Sequence, residues 1–193
     1  MIICIEGITN SGKSTLCKMI EYRKHYLLAN KHQKNFLVSQ KVKELTNPIT
    51  NLNCFDKTTE FFLYNTLLSE KSFAVLQLGN NVLIDRFSLS VYSYFKAKYH
   101  FPDDYLISTI KCASREIIPD VTFFLDVSLD TIINRSKTSP FSRKDMGIET
   151  YYKALRDCYL DNLSVFSKKS FVIAADKMTV DDIYAFICKL IGW

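Results

Sequence analysis

Residues 5–15, IEGITNSGKST, combine residue types and a spacing that suit phosphate binding. Gly7, four further residues and then Gly12, Lys13 and Ser14 complete the pattern G-x-x-x-x-G-K-[ST]. Glycines let the backbone curl until successive N–H groups converge on phosphate oxygens, and a helix beginning near Lys13 adds the positive end of its dipole. Lys13 would then reach the β- and γ-phosphates, and the Ser14 hydroxyl would bind Mg²⁺. The loop predicts a phosphate site, and on its own it leaves a GTPase, an ATPase and a small-molecule kinase open.

Asp85 and Arg86 form a second candidate pair, in VLIDRF, at the carboxyl end of a hydrophobic segment. If that segment is a strand of a doubly wound sheet, the pair lies where such sheets present their ligands. A carboxylate there can hold Mg²⁺ through water, and the adjacent arginine can clamp a second phosphate with two hydrogen bonds. An aspartate that caps the next helix beside a solvated arginine would explain the two residues equally well.

A basic segment follows the fourth predicted strand. Its cations lie within ten positions, with Asp145 as the only acidic residue among them: Arg135, Lys137, Arg143 and Lys144. Transfer of a phosphoryl group between two nucleotides needs cations that close over the group and exclude water. We therefore predict a lid at about residues 136–147, a polar stretch that is broken by Pro140 and closed by Gly147.

The elements that must position these residues are short apolar runs that alternate with longer helical segments. The apolar runs are nearly continuous, as in strands covered on both faces, and lie at 2–6, 35–39, 81–85, 121–127 and 170–174. Helical spacing occurs at 13–30, 57–78, 87–114 (in two pieces), 129–136, 147–167 and 179–191. This alternation predicts an α/β fold with a parallel sheet and helices on both faces. The 193 residues suit one domain, 1–193.

Composition narrows the range of partners. The net charge of +5 is mild and the basic residues are spread along the chain, so we expect an anionic small substrate rather than a nucleic acid polymer. The six cysteines form no CxxC pair and have no histidine at metal-ligand spacing, which favours reduced buried thiols over disulfides or zinc. No apolar stretch approaches the ~18 residues that span a bilayer, and no basic region precedes MIICI as in a signal peptide. We expect a cytoplasmic protein without membrane contact.

Together, these segments resemble the thymidylate kinases, a family of P-loop nucleoside monophosphate kinases. IEGITNSGKST resembles the family's phosphate loop, and LQLGNNVLIDRFSLSVYSYF resembles its glycine, strand and D-R-[YF]-x-x-S-x-x-x-[YF] segment. IPDVTFFLDV is similar to its P-D-hydrophobic-L-D-V strand, and RKDMGIETYYKALRDCYLDNL to its lid and following helix. The resemblance runs nearly end to end.

The resemblance implies a three-layer P-loop kinase fold with a five-stranded parallel sheet and a short lid. It further implies ATP with Mg²⁺ as the donor, a deoxynucleoside monophosphate as the acceptor, commonly a homodimer, and most specifically the phosphorylation of dTMP to dTDP. The residues that it assigns to ATP are Gly7, Asn10, Ser11, Gly12, Lys13, Ser14 and Thr15. The residues that it assigns to the metal are Ser14 and Asp85.

For the acceptor, the resemblance assigns one role to each of several positions. Arg86 would lie by the phosphates between donor and acceptor, Phe61 would stack on the pyrimidine, and Tyr94 would crowd the sugar and favour its deoxy form. Ser90 lies in the same segment, and Asn65 falls at the position that reads the base edge. The residues expected to act in catalysis are Lys13, Arg86, Glu6 and the lid arginines Arg135 and Arg143. Without the resemblance, an aromatic ring at Phe61 would more often belong to the core.

The chain departs from the family pattern at positions that handle the acceptor. Thr9 replaces an aspartate of many members, and Asn10 replaces an arginine of some relatives. The segment SQKVKEL lacks the usual arginine and proline, and Lys41 or Lys43 would serve there only as point charges. Asn65 replaces an arginine, although an amide can still hydrogen-bond a pyrimidine.

Two alternative functions follow from these departures. In deoxynucleoside kinases, which are related to this family, the glutamate before the phosphate loop acts as general base, and Glu6 matches that position. Those enzymes usually have glutamate-arginine-serine where this chain has Asp85, Arg86 and Phe87. The second alternative is a non-catalytic nucleotide-binding protein, because Thr9, Lys41, Lys43 and Asn65 all fall at acceptor positions.

Overall fold

The computed structural model describes residues 1–31, 36–45, 55–135 and 146–193. Its strands are β1 (Ile2–Gly7), β2 (Leu27–Leu28), β3 (Val82–Asp85), β4 (Val121–Asp126) and β5 (Ser170–Ala174). They pair in parallel in the order β2-β3-β1-β4-β5. The predicted α/β class with a five-stranded parallel sheet is confirmed.

The helices are α1 (Lys13–Lys24), α2 (Phe36–Leu45), α3 (Lys57–Leu78), α4 (Ser88–Tyr99), α5 (Asp103–Ala113), α6 (Leu129–Arg135), α7 (Met146–Asn162) and α8 (Val180–Ile191). A short 3-10 turn, Ala29–Lys31, follows β2. Residues 136–145 of the predicted lid lie outside the described residues.

The second strand predicted from the sequence is wrong. Residues 36–39 of the predicted strand 35–39 belong to α2, because a short apolar run fits a buried strand and a helical turn equally well. The true second strand is Leu27–Leu28, inside the region 13–30 that was expected to be helical. There α1 ends at Lys24, and His25 adopts a left-handed conformation with φ 54° that stops the helix.

The strand order explains why helices cover both faces of the sheet. The connection through α1 leaves β1 toward the β2 edge, whereas the connections through α4–α5 and α6–α7 run toward the β5 edge. Parallel crossovers are right-handed, so connections that run in opposite directions place their helices on opposite faces. Accordingly, α1 packs with α8, while α4 packs with α5 and α7 on the other side.

The central strands form the core and bring the site residues to one edge of the sheet. Buried side chains such as Ile5, Ile84 and Phe123 are inaccessible to solvent. In the parallel register Ile5 pairs with Asp85, so the carboxyl ends of β1 and β3 lie side by side. The glycine loop after β1 and the Asp85–Arg86 pair after β3 therefore meet at the edge where ligands bind in such sheets.

Helix α3, which carries several of the predicted acceptor residues, has a well-formed cap at each end. Asp56 accepts hydrogen bonds from the backbone N–H groups of Thr58 (2.9 Å) and Thr59 (3.2 Å). Its C-terminal cap, Gly79, has a positive φ of 71° and donates its N–H to Val75 O at 3.2 Å. The helix thus holds its length from Lys57 to Leu78, as the sequence predicts.

The structure bears on two expectations from composition, which concern membrane-spanning segments and the cysteines. Among the described helices, none has the length and apolar character that a bilayer crossing requires. The cysteines in this part are free thiols: Cys4, Cys17, Cys112, Cys158 and Cys188.

Candidate active site

The loop between β1 and α1 needs glycine at two positions. Gly7 has φ 148°, and a Cβ placed there would lie 2.7 Å from Ser11 Oγ and 2.8 Å from Leu125 O. Gly12 has φ 96° and immediately precedes α1. The first glycine permits close contact with β4, and the second permits the turn that points the N-terminus of α1 at a ligand.

Lys13 is held inside the curl of this loop. Its Nζ donates hydrogen bonds to Ile8 O at 2.7 Å and to Ser11 Oγ at 3.1 Å. Burial lowers the pKa of Lys13 well below its usual range, and the positive charge of Arg86 lowers it further. An anionic phosphate is the group that would restore the charge of this amine, so the loop is electrostatically suited to one.

A cavity of about 430 Å³ opens in front of the loop. One wall is the loop and the start of α1, with Arg135 beside it, and Arg135 Nη1 donates to Asn10 O at 3.4 Å. A further wall is apolar and consists of Met178, Val180 and Ile183. No motif in the sequence predicts this apolar wall, and its one signal is that residues 178–183 follow the last strand at the ligand edge of the sheet.

Ser14, which lines the cavity, contacts Asp85. The Ser14 hydroxyl donates to Asp85 Oδ2 at 2.6 Å. The backbone of Asp85 is fixed by the Asn30 amide, which donates to Asp85 O at 3.1 Å and accepts from Asp85 N at 3.2 Å. Mg²⁺ prefers one or two protein oxygens and completes its shell with phosphates and water, so this pair fits such an ion.

Arg86 contacts a different set of side chains from Asp85. Its Nη1 lies 3.2 Å from Tyr159 Oη and 3.4 Å from Ser90 Oγ, and its Nη2 lies 3.5 Å from Thr9 Oγ1. Neutral hydroxyl groups surround the guanidinium in these contacts. An anion would therefore be a stronger partner than any of them.

Glu6 lies beneath this cluster, and both of its carboxylate oxygens accept hydrogen bonds. Oε1 accepts from the backbone N–H of Phe87 at 2.7 Å, and Oε2 accepts from Ser90 Oγ at 2.5 Å. Burial raises the pKa of Glu6, while the hydrogen bonds from Ser90 and Phe87 oppose that rise. Ser90 Oγ also lies 2.8 Å from Tyr159 Oη, so Glu6 fixes the hydroxyls around Arg86.

Two kinds of comparison assign the chain to a family. A family model described as thymidylate kinase matches residues 5–187. The chain belongs to the thymidylate kinase family. Relatives in Thermosipho melanesiensis and Rickettsia canadensis, both thymidylate kinases, are 26% and 27% identical. These alignments cover 99% and 97% of this chain, and 97% and 95% of the relatives.

A solved structure agrees at the level of the fold. The thymidylate kinase of Candida albicans superposes with a TM-score of 0.65 at 19% identity, covering 99% of this chain and 90% of that one. The family membership and the relatives make this thymidylate kinase family protein a nucleoside monophosphate kinase.

In this thymidylate kinase family protein, Tyr94 is held by a partly buried network. Its hydroxyl donates to Glu60 Oε1 at 2.7 Å, and its ring stacks on Tyr64 with centroids 5.3 Å apart and planes at 19°. Lys98 Nζ donates to Tyr94 Oη at 2.7 Å, and Tyr99 also donates to Glu60. Burial raises the pKa of Tyr94 far above its usual value, with the neighbouring Tyr64 and Glu60 contributing. The hydroxyl therefore stays protonated.

Phe61 does not face open space in this structure. Its side chain is fully buried, and its ring contacts Phe95 (4.9 Å between centroids), Phe101 (5.6 Å) and Tyr105 (5.5 Å). A base could stack on this ring only if those neighbours moved. The stacking role that the resemblance implies therefore stays a prediction, and the half-buried ring of Tyr64 is the aromatic face beside Tyr94.

Asn65 presents a buried acceptor. Its Nδ2 donates to Phe61 O at 2.8 Å, which fixes the orientation of the amide because a carbonyl accepts only from the nitrogen. Asn65 Oδ1 is buried and has no hydrogen-bond partner within the described ranges. A buried acceptor of this kind needs a donor, and a ligand can supply one.

Only some of the remaining predicted cations lie among the described residues. Lys41 is exposed on α2, and the described contacts do not bring it to Arg86. Lys137, Arg143 and Lys144 lie outside the described residues, as does the side chain of Lys43. Tyr159, on α7, contacts Arg86 although no motif in the sequence marks it. On the same helix Arg156 makes a two-pronged ion pair with Asp126 at 2.8 and 2.6 Å.

Proposed function

We propose that the protein transfers the γ-phosphoryl group of ATP to dTMP, producing ADP and dTDP. One observation carries the proposal. The adjacent residues Asp85 and Arg86 have different partners: Asp85 accepts from Ser14 at the start of α1, whereas Arg86 lies by Thr9 and by Ser90 of α4. A carboxylate on the donor side and a guanidinium on the acceptor side suit transfer between two phosphate groups.

The donor would occupy the cavity in front of the loop. The loop N–H groups, the N-terminus of α1 and Lys13 would hold its β- and γ-phosphates. Met178 and Val180, on the apolar wall, would contact the base of ATP. Ser14 and Asp85 would hold Mg²⁺, which neutralises charge on the phosphate oxygens when it is bound.

The acceptor phosphate would bind on the side of Arg86. Its oxygens would replace the Thr9, Ser90 and Tyr159 hydroxyls as partners of the guanidinium, because charge-assisted hydrogen bonds are the stronger ones. Arg135, which already contacts the loop, would add positive charge over the transferring group, and Arg143 is the second cation that we assign to this task.

The unpartnered Asn65 Oδ1 supports thymine as the base. Thymine presents a donor at N3–H, whereas cytosine presents a lone pair at its N3. An acceptor that faces N3 of the base would favour thymine or uracil and would disfavour cytosine, whose donor is its 4-amino group, because two acceptors that face each other leave a buried group unpaired. Tyr94, with its hydroxyl proton committed to Glu60, would present its ring to the sugar.

The site does not favour the nucleoside kinase alternative. A general base must come within hydrogen-bond reach of the hydroxyl that it deprotonates, and Glu6 is buried. Both oxygens of Glu6 are already engaged, with the Phe87 N–H and the Ser90 hydroxyl. We infer that Glu6 acts as an anchor for Ser90 and for the start of α4. The acceptor phosphate of a monophosphate is already anionic, so its phosphorylation needs no such base.

A coupled ADP-release assay with ATP, Mg²⁺ and one acceptor at a time tests the proposal. We expect turnover with dTMP, weaker turnover with dUMP, little with dCMP and none with thymidine. Turnover of thymidine without turnover of dTMP would contradict the proposal. Lys13→Ala should lower kcat by about 10²-fold or more, because it removes the cation held in the phosphate loop. Lys18→Ala, an exposed position on α1, is the matched control and should match the wild type.

We also propose a homodimer. Helix α3 exposes apolar side chains along one face, with Phe62 53% and Leu76 55% accessible in the single chain. A second copy would bury them. Light scattering after size exclusion should give a mass near twice 22.4 kDa, and Phe62→Glu should return it to that of one chain. A single-chain mass for the wild type would contradict this assembly.

A further inference from the structure

Arg86 has an unusual backbone conformation for an arginine. Its φ is 62°, in the left-handed region that residues other than glycine adopt only when their surroundings hold them there. Its N–H donates to Ile5 O at 3.1 Å, which continues the pairing of β3 with β1. The chain therefore bends sharply at the residue that carries the acceptor-side guanidinium.

Lys71, on α3, holds this bend. Its Nζ donates one hydrogen bond to Asp85 O at 3.0 Å and another to Arg86 O at 2.5 Å. Both carbonyls belong to the bend itself, and hydrogen bonds from a charged ammonium group are stronger than neutral ones. Lys71 thus links α3 to the backbone of two successive site residues, while its amine is occupied by those carbonyls.

The bend decides where the two neighbouring side chains point. Because of it, Asp85 reaches Ser14 on the donor side while Arg86 reaches Thr9 and Tyr159 on the acceptor side. A change of φ at Arg86 would swing the guanidinium relative to the carboxylate. Misplacement of a catalytic group by about 1 Å can cost ~10²-fold in rate.

The charge of Lys71 also affects the pKa of the buried residue Glu6. Burial raises the pKa of Glu6, and Lys71 is among the cations that oppose this rise. Lys71 therefore helps to balance the charge of the carboxylate that holds Ser90 and Phe87.

We propose that Lys71 is a positioning residue for phosphoryl transfer, which holds the Asp85–Arg86 bend from α3 without contacting a nucleotide. The proposal rests on the roles given above to Asp85 and Arg86. It differs from a general packing role, because it ties one amine to the relative placement of the donor-side carboxylate and the acceptor-side guanidinium.

The test compares Lys71→Met, Lys71→Arg and the control Lys111→Met, an exposed position on α5. Lys71→Met should lower kcat about 10- to 100-fold, raise the KM for the acceptor and leave the KM for ATP nearly unchanged. Lys71→Arg keeps donors for both carbonyls and should recover much of the lost kcat. Rates are measured well below the Tm of each variant, with the best acceptor of the wild type, so that failure of dTMP as a substrate is detected separately.

A crystal structure of Lys71→Met gives a readout that does not depend on the acceptor. We expect Arg86 to leave the left-handed region and its guanidinium to leave Tyr159. A variant with wild-type kcat, or one in which Arg86 keeps its conformation, would overturn the proposal even if its Tm were lower.

Discussion

The hydroxyl of Ser14 donates a hydrogen bond to Asp85 Oδ2 at 2.6 Å, although 71 positions separate the two residues in the chain. The contact joins the first turn of α1 to the carboxyl end of β3. It brings together two oxygen groups that suit a magnesium ion, and one of them, the Ser14 hydroxyl, belongs to a residue that lines the cavity in front of the loop.

The first prediction concerns Asp85→Asn. We expect kcat to fall about 10²-fold and the Mg²⁺ concentration for half-maximal rate to rise, because the amide is a weaker ligand than the carboxylate. Initial rates measured over a Mg²⁺ titration check this, and Asp104→Asn on the exposed part of α5 serves as the control. An unchanged Mg²⁺ dependence in Asp85→Asn would show that this carboxylate does not serve the metal.

The second prediction concerns the stability supplied by Arg156 and Asp126. The pair has two parallel hydrogen bonds and joins α7 to the end of β4. Arg156→Lys keeps the charge but loses the two-pronged geometry, and we expect the free energy of unfolding to fall by about 1 kcal/mol. Urea denaturation measures it. Lys153→Arg, an exposed position on the same helix, should leave the free energy of unfolding unchanged. Equal stability of Arg156→Lys and the wild type would contradict a stabilising role of the Arg156–Asp126 pair.

The third prediction links Glu60 to the choice between deoxy and ribo acceptors. Glu60 accepts from both Tyr94 and Tyr99. Glu60→Gln turns one acceptor into a donor and should loosen Tyr94, so the ratio of kcat/KM for dTMP over ribothymidine monophosphate should fall about 10-fold. Measurement of both acceptors with each enzyme decides this. A ratio at the wild-type value would mean that Glu60 does not set the wall of the sugar site.

The fourth prediction is a pH dependence of stability that arises from Glu6. Because burial raises the pKa of Glu6 in the folded protein, the folded state binds a proton that the unfolded state has released over the interval above the ordinary value of about 4.3. The contribution of Glu6 to stability therefore falls as pH rises through this interval and then stays level.

Glu6→Gln does not titrate and supplies the comparison. The free energy of unfolding of the wild type minus that of Glu6→Gln should decrease as pH rises from about 4 toward neutrality. Urea denaturation at several pH values measures this difference. A difference that increases with pH would mean that the carboxylate is stabilised by its hydrogen bonds more than it is destabilised by burial.

Most of the fold follows from local patterns. The continuous apolar runs at β1, β3, β4 and β5 form the strands that the sequence predicts, and α3 is bounded by a cap at Asp56 and by Gly79. The second strand does not follow from a local pattern. Leu27–Leu28 has only two residues and gains its pairing from β3, so its strand character depends on tertiary contact that no local pattern contains.

The site was predictable where a motif specifies the backbone, and less so where side chains meet from distant segments. The loop residues and the Asp85–Arg86 pair carry their own signals in the sequence. Lys71 and Tyr159 lie on helices at ordinary helical spacing, and only packing brings them to the site. For Phe61, the resemblance implies stacking on the pyrimidine, whereas the structure places its ring among other aromatic rings.

The most direct test of the account follows the transferred group itself. The protein is incubated with Mg²⁺, dTMP and ATP radiolabelled at the γ-phosphate, and the products are separated by chromatography. We predict that the label appears in dTDP, that this product requires dTMP, and that Arg86→Ala loses it while still binding ATP. Label found only in inorganic phosphate would contradict the central claim. In a second incubation with thymidine in place of dTMP, label in dTMP would also contradict it if the first incubation gave no labelled dTDP.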